Sequence, residues 1–294
     1  MTDRDRRWLV TGAAGMLAHD LIGQLETAGS SVVGLDRRAL DVTDRHAVSE
    51  AFAAHRPDVV VNCAAWTAVD DAEASEAAAL RVNGDGTTHV ASACDASGAV
   101  MVQISTDYVF AGDATTPYHE DDPTGPRTAY GRTKLAGEQA VRALLPDNGY
   151  IVRTAWLYGA GGSNFVRTMI GLERTKDTLD VVDDQRGQPT WTADLADCVI
   201  RLVEAAVVGA APPGIYHGTS GGDGTWFDLA RETFRLLGAD PARVHPTTSA
   251  AFVRPAPRPA YSVLGHDRWR EAGIAPIRDW RAALSAAFPS LAPR

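Results

Sequence analysis

The chain has 294 residues, 45% of them hydrophobic and 22% charged, which fits a soluble globular protein of one large domain or of a domain with a smaller partner. Its net charge of −9 argues against nucleic acid as a main partner, and no stretch approaches the roughly 20 apolar residues of a membrane span. Cys63, Cys94 and Cys198 are scattered and odd in number, and residues 1–7 lack the apolar core of a signal peptide, so the expected compartment is the cytoplasm.

Trp8-Leu9-Val10-Thr11 reads as a short buried strand running into Gly12-Ala13-Ala14-Gly15-Met16-Leu17-Ala18 and then a helix with Leu17, Leu21, Ile22 and Leu25 on one face. A strand, a glycine turn and a helix in that order make a phosphate-binding opening, because Gly12 and Gly15 let backbone N–H groups approach a pyrophosphate and the helix N-terminus attracts its charge. A third glycine is usual where Ala18 stands; alanine is the mildest replacement, so close helix–strand packing is expected to survive. The next strand, Ser31-Val32-Val33-Gly34-Leu35, ends at Asp36, about 20 residues past the turn, where a carboxylate can accept from an adenosine ribose. That favours NADH, whereas Arg37 and Arg38 suit the 2′-phosphate of NADPH, so both cofactors stay open. Asp41 and Val42 are candidates to lie along the adenine, and Thr43 or Asp44 to cap the following helix.

Asp58-Val59-Val60-Val61-Asn62 is a nearly continuous apolar strand, as expected when both faces are covered, and it ends in small residues, Cys63-Ala64-Ala65, where a cofactor backbone can pass closely. A helix carrying Ala78, Val82, Val90 and Ala91 leads to the strand Ala99-Val100-Met101-Val102-Gln103-Ile104. Thr106 follows at that strand's mouth, where a hydroxyl can hold a substrate carbonyl. After a Pro-rich loop, 117–126, comes Tyr130-Gly131-Arg132-Thr133-Lys134. At i and i+4 on a helix, phenol and ammonium share a face, and the cation is expected to lower the phenol's pKa toward the working pH. Hydroxyl, phenol and lysine beside a nicotinamide form a carbonyl-reduction site.

Downstream, Gly149-Tyr150-Ile151-Val152-Arg153 is a further strand, Trp156 offers a flat apolar face to a sugar or base, and Asn164 is placed to cap a helix. Residues 194–208 form a helix returning to the first domain, and Thr225 caps a helix through Leu237. Arg254 and Arg258, in a Pro-rich segment without regular structure, are candidates for a diphosphate. His217, His245 and His266 show no metal-ligand spacing, so no catalytic metal is expected.

The runs Asn62-Cys63-Ala64-Ala65-Trp66-Thr67-Ala68-Val69-Asp70, Ser105-Thr106-Asp107-Tyr108-Val109-Phe110, Arg153-Thr154-Ala155-Trp156-Leu157-Tyr158-Gly159, Asp184-Gln185-Arg186-Gly187-Gln188-Pro189-Thr190 and Arg258-Pro259-Ala260-Tyr261-Ser262-Val263-Leu264 resemble the dTDP-4-dehydrorhamnose reductase family, within the extended short-chain dehydrogenase/reductases. The resemblance covers nearly the whole chain, in order. It implies a doubly wound Rossmann-type parallel α/β sheet with a smaller C-terminal substrate-binding α/β domain. The dinucleotide domain would comprise 1–155 with about 190–217, and the sugar-nucleotide domain 156–189 with 218–294. It implies Thr106, Tyr130 and Lys134 as catalytic residues. NADPH or NADH would meet Gly12, Gly15, Met16, Leu17, Asp36, Arg37, Asp41, Val42, Ala64, Ala65, Tyr130 and Lys134, and a dTDP-sugar would meet Thr106, Asp107, Trp156 and Arg258. Trp66 stands where the family often has tyrosine or histidine, near nicotinamide and sugar, which leaves the sugar open. The implied reaction is reduction of a C4 ketone by a monomer or homodimer. The alternatives are a ketoreductase of streptose or antibiotic deoxysugar assembly, a 4,6-dehydratase or epimerase, and a non-catalytic NADP-binding regulatory subunit. The dehydratase is disfavoured because Tyr108 and Val109, not an acidic residue, follow Asp107.

Overall fold

The computed structural model describes residues 6–292; residues 1–5 of the charged N-terminal segment lie outside that range. The chain opens with β1 (Arg7–Thr11), α1 (Met16–Thr27), β2 (Ser31–Leu35), α2 (Arg45–His55) and β3 (Val59–Asn62). Next come α3 (Val69–Ala74), α4 (Glu76–Leu80), a π-helical segment Arg81–Gly86, α5 (Thr87–Ser97), β4 (Val100–Thr106), α6 (Ala129–Leu144) and β5 (Gly149–Thr154). β6 (Leu157–Tyr158), α7 (Phe165–Glu173), β7 (Leu179–Val182), β8 (Arg186–Gly187), β9 (Thr190–Trp191), α8 (Thr192–Val207) and β10 (Gly214–His217) follow. β11 (Gly224–Thr225), α9 (Trp226–Leu237), β12 (Val244–Thr247), α10 (Asp267–Glu271) and α11 (Trp280–Leu291) end the chain.

Six parallel strands form one sheet in the order β10-β5-β4-β3-β1-β2. The winding reverses between β1 and β3, so the sheet is doubly wound and a crevice opens at the carboxyl ends of those strands. The apolar runs are continuous because successive side chains serve opposite faces. Val10, Val59, Val61, Val102 and Val152 pack with Leu21 of α1 and Leu195, Val199 and Leu202 of α8. Leu9, Val60, Met101 and Ile151 pack with Phe52, Val90 and Val141 of α2, α5 and α6. Each such side chain contributes about 1.5–3 kcal/mol relative to exposure. Ala18 is fully buried against this core, so the tight helix–strand packing survives without the third glycine.

The remaining elements gather around Tyr158, Val166, Ile170, Leu229, Trp280 and Leu284. Three short pairs, β6 with β9, β7 with β12 and β8 with β11, brace them. Asp44 caps α2 and Asn164 caps α7, and Thr225 with Asp228 forms a reciprocal capping box on α9. No helix among the described residues is long and apolar enough to cross a membrane.

The helix expected through Ala78, Val82 and Val90 is interrupted. α3 and α4 break at Ser75, and the chain then widens into the π segment. Gly84 and Gly86 permit it: a Cβ on Gly84 would stand 2.7 Å from Leu80 Cδ1, and one on Gly86 2.7 Å from Val42 Cγ2. Such widened turns recur at functional sites.

Candidate active site

A cleft of about 970 Å³ opens at the carboxyl ends of β1, β3, β4 and β5. At one end it is lined by Gly15, Met16, Leu17 and Ala18, at its centre by Ala65, Thr106, Asp107, Tyr130 and Lys134, and at the other end by Trp156, Arg254 and Arg258. Residues far apart in sequence thus share one cavity because parallel strands all deliver their C-terminal ends to the same edge.

Gly12 has φ +64°, and a Cβ there would stand 2.7 Å from the Ala64 nitrogen, so only glycine lets the first turn close over the end of β3. Gly15 begins α1 with no side chain capping it and no acidic residue in the first turn, so the helix dipole faces the cleft uncompensated. This cradle fits a dinucleotide phosphate. Ala13 N–H donates to the Leu35 carbonyl at 3.2 Å, which sets Asp36 beside the turn. Asp36 Oδ1 accepts from the backbone of Arg38 and Ala39, and Asp41 Oδ1 from Thr43. Arg37 is exposed. The Val42 side chain packs against the α5 side of the core, away from the cleft. Gly12, Asp36, Arg37, Asp41, Val42 and Ala64 therefore adjoin the glycine turn and β2 and do not line the cleft itself.

A row of buried polar side chains supports the centre. Thr11, Asn62 and Gln103 are in register across β1, β3 and β4. Thr11 Oγ1 donates to Asn62 Oδ1 (2.5 Å), Asn62 Nδ2 to Gln103 Oε1 (2.7 Å), and Gln103 Nε2 to the Ile104 carbonyl (2.8 Å). Lys134 Nζ donates to the same carbonyl at 2.6 Å. Thr106 ends β4; its hydroxyl donates to Asp107 Oδ1 (2.9 Å) and accepts from Tyr108 N–H (3.2 Å), and it lies beside the Tyr130 phenol, whose ionised form it favours. The rings of Tyr108 and Tyr130 meet edge to face, with centroids 5.7 Å apart.

α6 reaches this position through glycines. A Cβ on Gly131 would fall 2.2 Å from the Tyr108 carbonyl oxygen, and one on Gly137 2.4 Å from the Asn83 carbonyl oxygen. Asn83, in the π segment, accepts from Trp66 N–H (2.8 Å) and donates to the Trp66 carbonyl (3.2 Å) and to Thr133 Oγ1 (3.0 Å). It thereby ties the loop after β3 to α6. Asn83 was not anticipated from sequence; two glycines inside a helical pattern, Gly84 and Gly86, were the available signal.

Burial governs the ionisation. It pushes the Tyr130 phenol up to about 12, with Asp107 adding to the rise and the Thr106 hydrogen bond opposing it. It pushes Lys134 down to about 8, opposed by Glu138. The expected lowering of Tyr130 by Lys134 is thus overturned: burial disfavours the phenolate and raises the phenol instead. Asp107 is raised to about 6 by burial, against hydrogen bonding from Ser262 and Thr106. Its Oδ2 is buried without a well-formed partner. The Cys63 thiol, also in the cleft, is pushed up to about 12 by burial and is inert as a nucleophile.

Two aromatic residues beside the cleft have particular surroundings. Trp156 adopts φ +48° and stacks on Trp226 at 3.7 Å, with Gly187 pressed so close that a Cβ there would stand 2.6 Å from the ring. Trp226 covers one face of the indole, and both rings line the cleft. Trp66 packs with Ala72, Ala79 and Ala129 beside Tyr130 and does not line the cleft. Arg258 lines the cleft, its Nη2 donating to Asp70 Oδ2 at 2.8 Å and its Nη1 to the Ala256 carbonyl at 3.0 Å.

The RmlD substrate binding domain family matches residues 6–292. A dTDP-4-dehydrorhamnose reductase of Streptomyces griseus is 63% identical over 288 residues, covering 98% of this chain and 95% of that one. A dTDP-4-keto-6-deoxy-D-glucose reductase of Streptomyces niveus is 56% identical over 291 residues, covering 99% and 98%. Among solved structures, a dTDP-4-dehydrorhamnose reductase of Bacillus anthracis in complex with NADP superposes with a TM-score of 0.91 at 36% identity, covering 96% and 98%.

Proposed function

The chain belongs to the dTDP-4-dehydrorhamnose reductase family defined by that match, and we propose that it uses NADPH or NADH to reduce the C4 ketone of a dTDP-4-keto-6-deoxyhexose, converting dTDP-4-dehydro-L-rhamnose to dTDP-L-rhamnose. The observation that carries this reading is the convergence of the Thr106 hydroxyl, the Tyr130 phenol and the buried Lys134 ammonium in one cleft running from the α1 N-terminus to Arg258. A bound reduced nicotinamide supplies the hydride. Thr106 holds the carbonyl. Tyr130, kept protonated at neutral pH by burial, donates its proton to the ketone oxygen. Lys134 counters the charge left on the phenolate.

Gly12, Gly15, Met16, Leu17, Ala64 and Ala65 would shape the cofactor's phosphate and nicotinamide path, and Asp36, Arg37, Asp41 and Val42 its adenosine end. Asp107, Arg258 and Trp156 would meet the sugar nucleotide. On this reading 1–155 with about 190–217 hold the dinucleotide, and 156–189 with 218–294 the sugar nucleotide. The enzyme would work in the cytoplasm as a monomer or homodimer, without nucleic acid or membrane; its acidity and scattered free cysteines support that.

The test is oxidation of NADH and NADPH with a panel of dTDP-4-keto-6-deoxyhexoses, followed by NMR of the product at C4. The 56% identity to the S. niveus enzyme makes dTDP-4-keto-6-deoxy-D-glucose the second substrate of the panel. Cofactor binding without consumption across the panel would instead indicate a regulatory subunit.

A further inference from the structure

Tyr130, Lys134 and Glu138 are spaced by four on α6 and share one face. Glu138 is 1% exposed. Its carboxylate accepts Ser105 Oγ at 2.6 Å and Arg153 Nε at 2.9 Å on Oε1, and Arg153 Nη2 at 2.7 Å on Oε2. Ser105 and Arg153 are cross-strand partners of β4 and β5, so both strands grip the same carboxylate. Ser105 lies between Ile104, whose carbonyl receives Lys134, and Thr106. Arg153 sits over the Phe110 ring, 4.8 Å from its centroid.

We propose that Glu138, held by Ser105 and Arg153, is a positioning residue for the reduction: it keeps Lys134 a cation and locks the Tyr130 helix against the strand that ends in Thr106. The groups facing Lys134 are few. From α6 come Tyr130 and Glu138, from the segment after β3 the neutral Cys63 thiol, and from β4 the Ile104 carbonyl, with Asp107 acting on Tyr130. Arg153 of β5 pairs with Glu138, which lies one helical turn from Lys134 on the same face and favours its charged form. A buried ion pair is weak support for stability but a strong local field, which is the use made of it here.

The role in turnover rests on the reductase reading above, but the effect on Lys134 is measurable without turnover. The chain contains two lysines, Lys134 and the exposed Lys176. Lysine labelled with ¹³C at Cε therefore gives two NMR signals, Lys176 serving as internal reference. In Glu138→Gln, the Lys134 midpoint is expected to fall by about one pH unit, a tenfold loss of proton affinity, and the alkaline limb of kcat to move with it. That variant leaves Arg153 buried and unpaired, which can unfold it. Glu138→Gln with Arg153→Met removes both charges and is expected to fold, yet to keep the lowered midpoint and limb. An unchanged Lys134 midpoint in the double variant, or full recovery of turnover and pH limb along with its fold, would overturn the proposal. A lowered midpoint with no ketosugar reduced by the wild type would sink the substrate reading and leave the Glu138–Lys134 link standing.

Discussion

Replacing Asp107 by Asn is expected to stabilise the protein and damage the enzyme at once. Burial raises this carboxyl from 3.8 to about 6. A group whose folded pKa is raised holds its proton more tightly in the folded state, so stability is lost as pH rises between the two values and does not return above them. At 1.36 kcal/mol per pH unit the penalty at pH 7.5 is about 3 kcal/mol, an order-of-magnitude figure. Asn cannot ionise, keeps an oxygen for the Thr106 hydroxyl, and removes the penalty. For a chain of this length that corresponds to a rise of about 5 °C in thermal midpoint. The rise should shrink steadily as pH falls toward 4, where wild-type Asp107 is protonated as well. Thermal melts across pH 4–8 measure this, and NAD(P)H oxidation with the ketosugar measures the cost, expected as a higher KM for the sugar nucleotide. A gain independent of pH, or a loss of stability at pH 7.5, would show that hydrogen bonds to the carboxylate offset its burial and leave its pKa unraised, and would refute the reasoning.

Tyr130→Phe should keep cofactor affinity, read by fluorescence titration with NADPH, while turnover falls by about 10²–10⁴; unchanged turnover would remove Tyr130 as the acid. Gly131→Ala places a methyl 2.2 Å from the Tyr108 carbonyl oxygen, so α6 must shift, at about 1–3 kcal/mol in a denaturant melt and with a tenfold or larger loss of kcat. Arg258→Met should raise the KM for the sugar nucleotide about tenfold, equivalent to about 1.4 kcal/mol, with the KM for NADPH unmoved. Equal effects on both KM values would place Arg258 outside the sugar-nucleotide end.

The strands, the glycine turn and the helix caps were legible because each is a local signal: an apolar run, paired glycines between a strand and a helix, a Thr, Asp or Asn just before a helical pattern. Thr106, Tyr130 and Lys134 could also be grouped, since parallel strands bring their carboxyl ends to one edge. What sequence alone did not yield depends on contacts between distant segments. Trp156 reads as an open apolar face until Trp226, far down the chain, stacks on it. Glu138 reads as one more charge on a helix until β4 and β5 supply Ser105 and Arg153. The π segment is foreshadowed only by Gly84 and Gly86, and its purpose appears when Asn83 binds both Trp66 and Thr133.

The reversal in the ionisation of Tyr130 and Lys134 bears on how such a site works. A phenol acidified in the resting state would spend part of its time as phenolate, unable to donate. Here burial keeps it protonated, and Lys134, gripped by the Ile104 carbonyl, waits alongside on the same helix face. On the proposed reading the cation would then matter only once a proton leaves the phenol. Stabilisation that grows with the developing charge lowers the barrier, whereas equal stabilisation before and after would not. The same low-dielectric setting that shifts both groups also magnifies their interaction when charge appears. On the proposed reading, the close approaches at Gly131 and Gly137 would serve catalysis through distance, since they let α6 bring both side chains into the cleft.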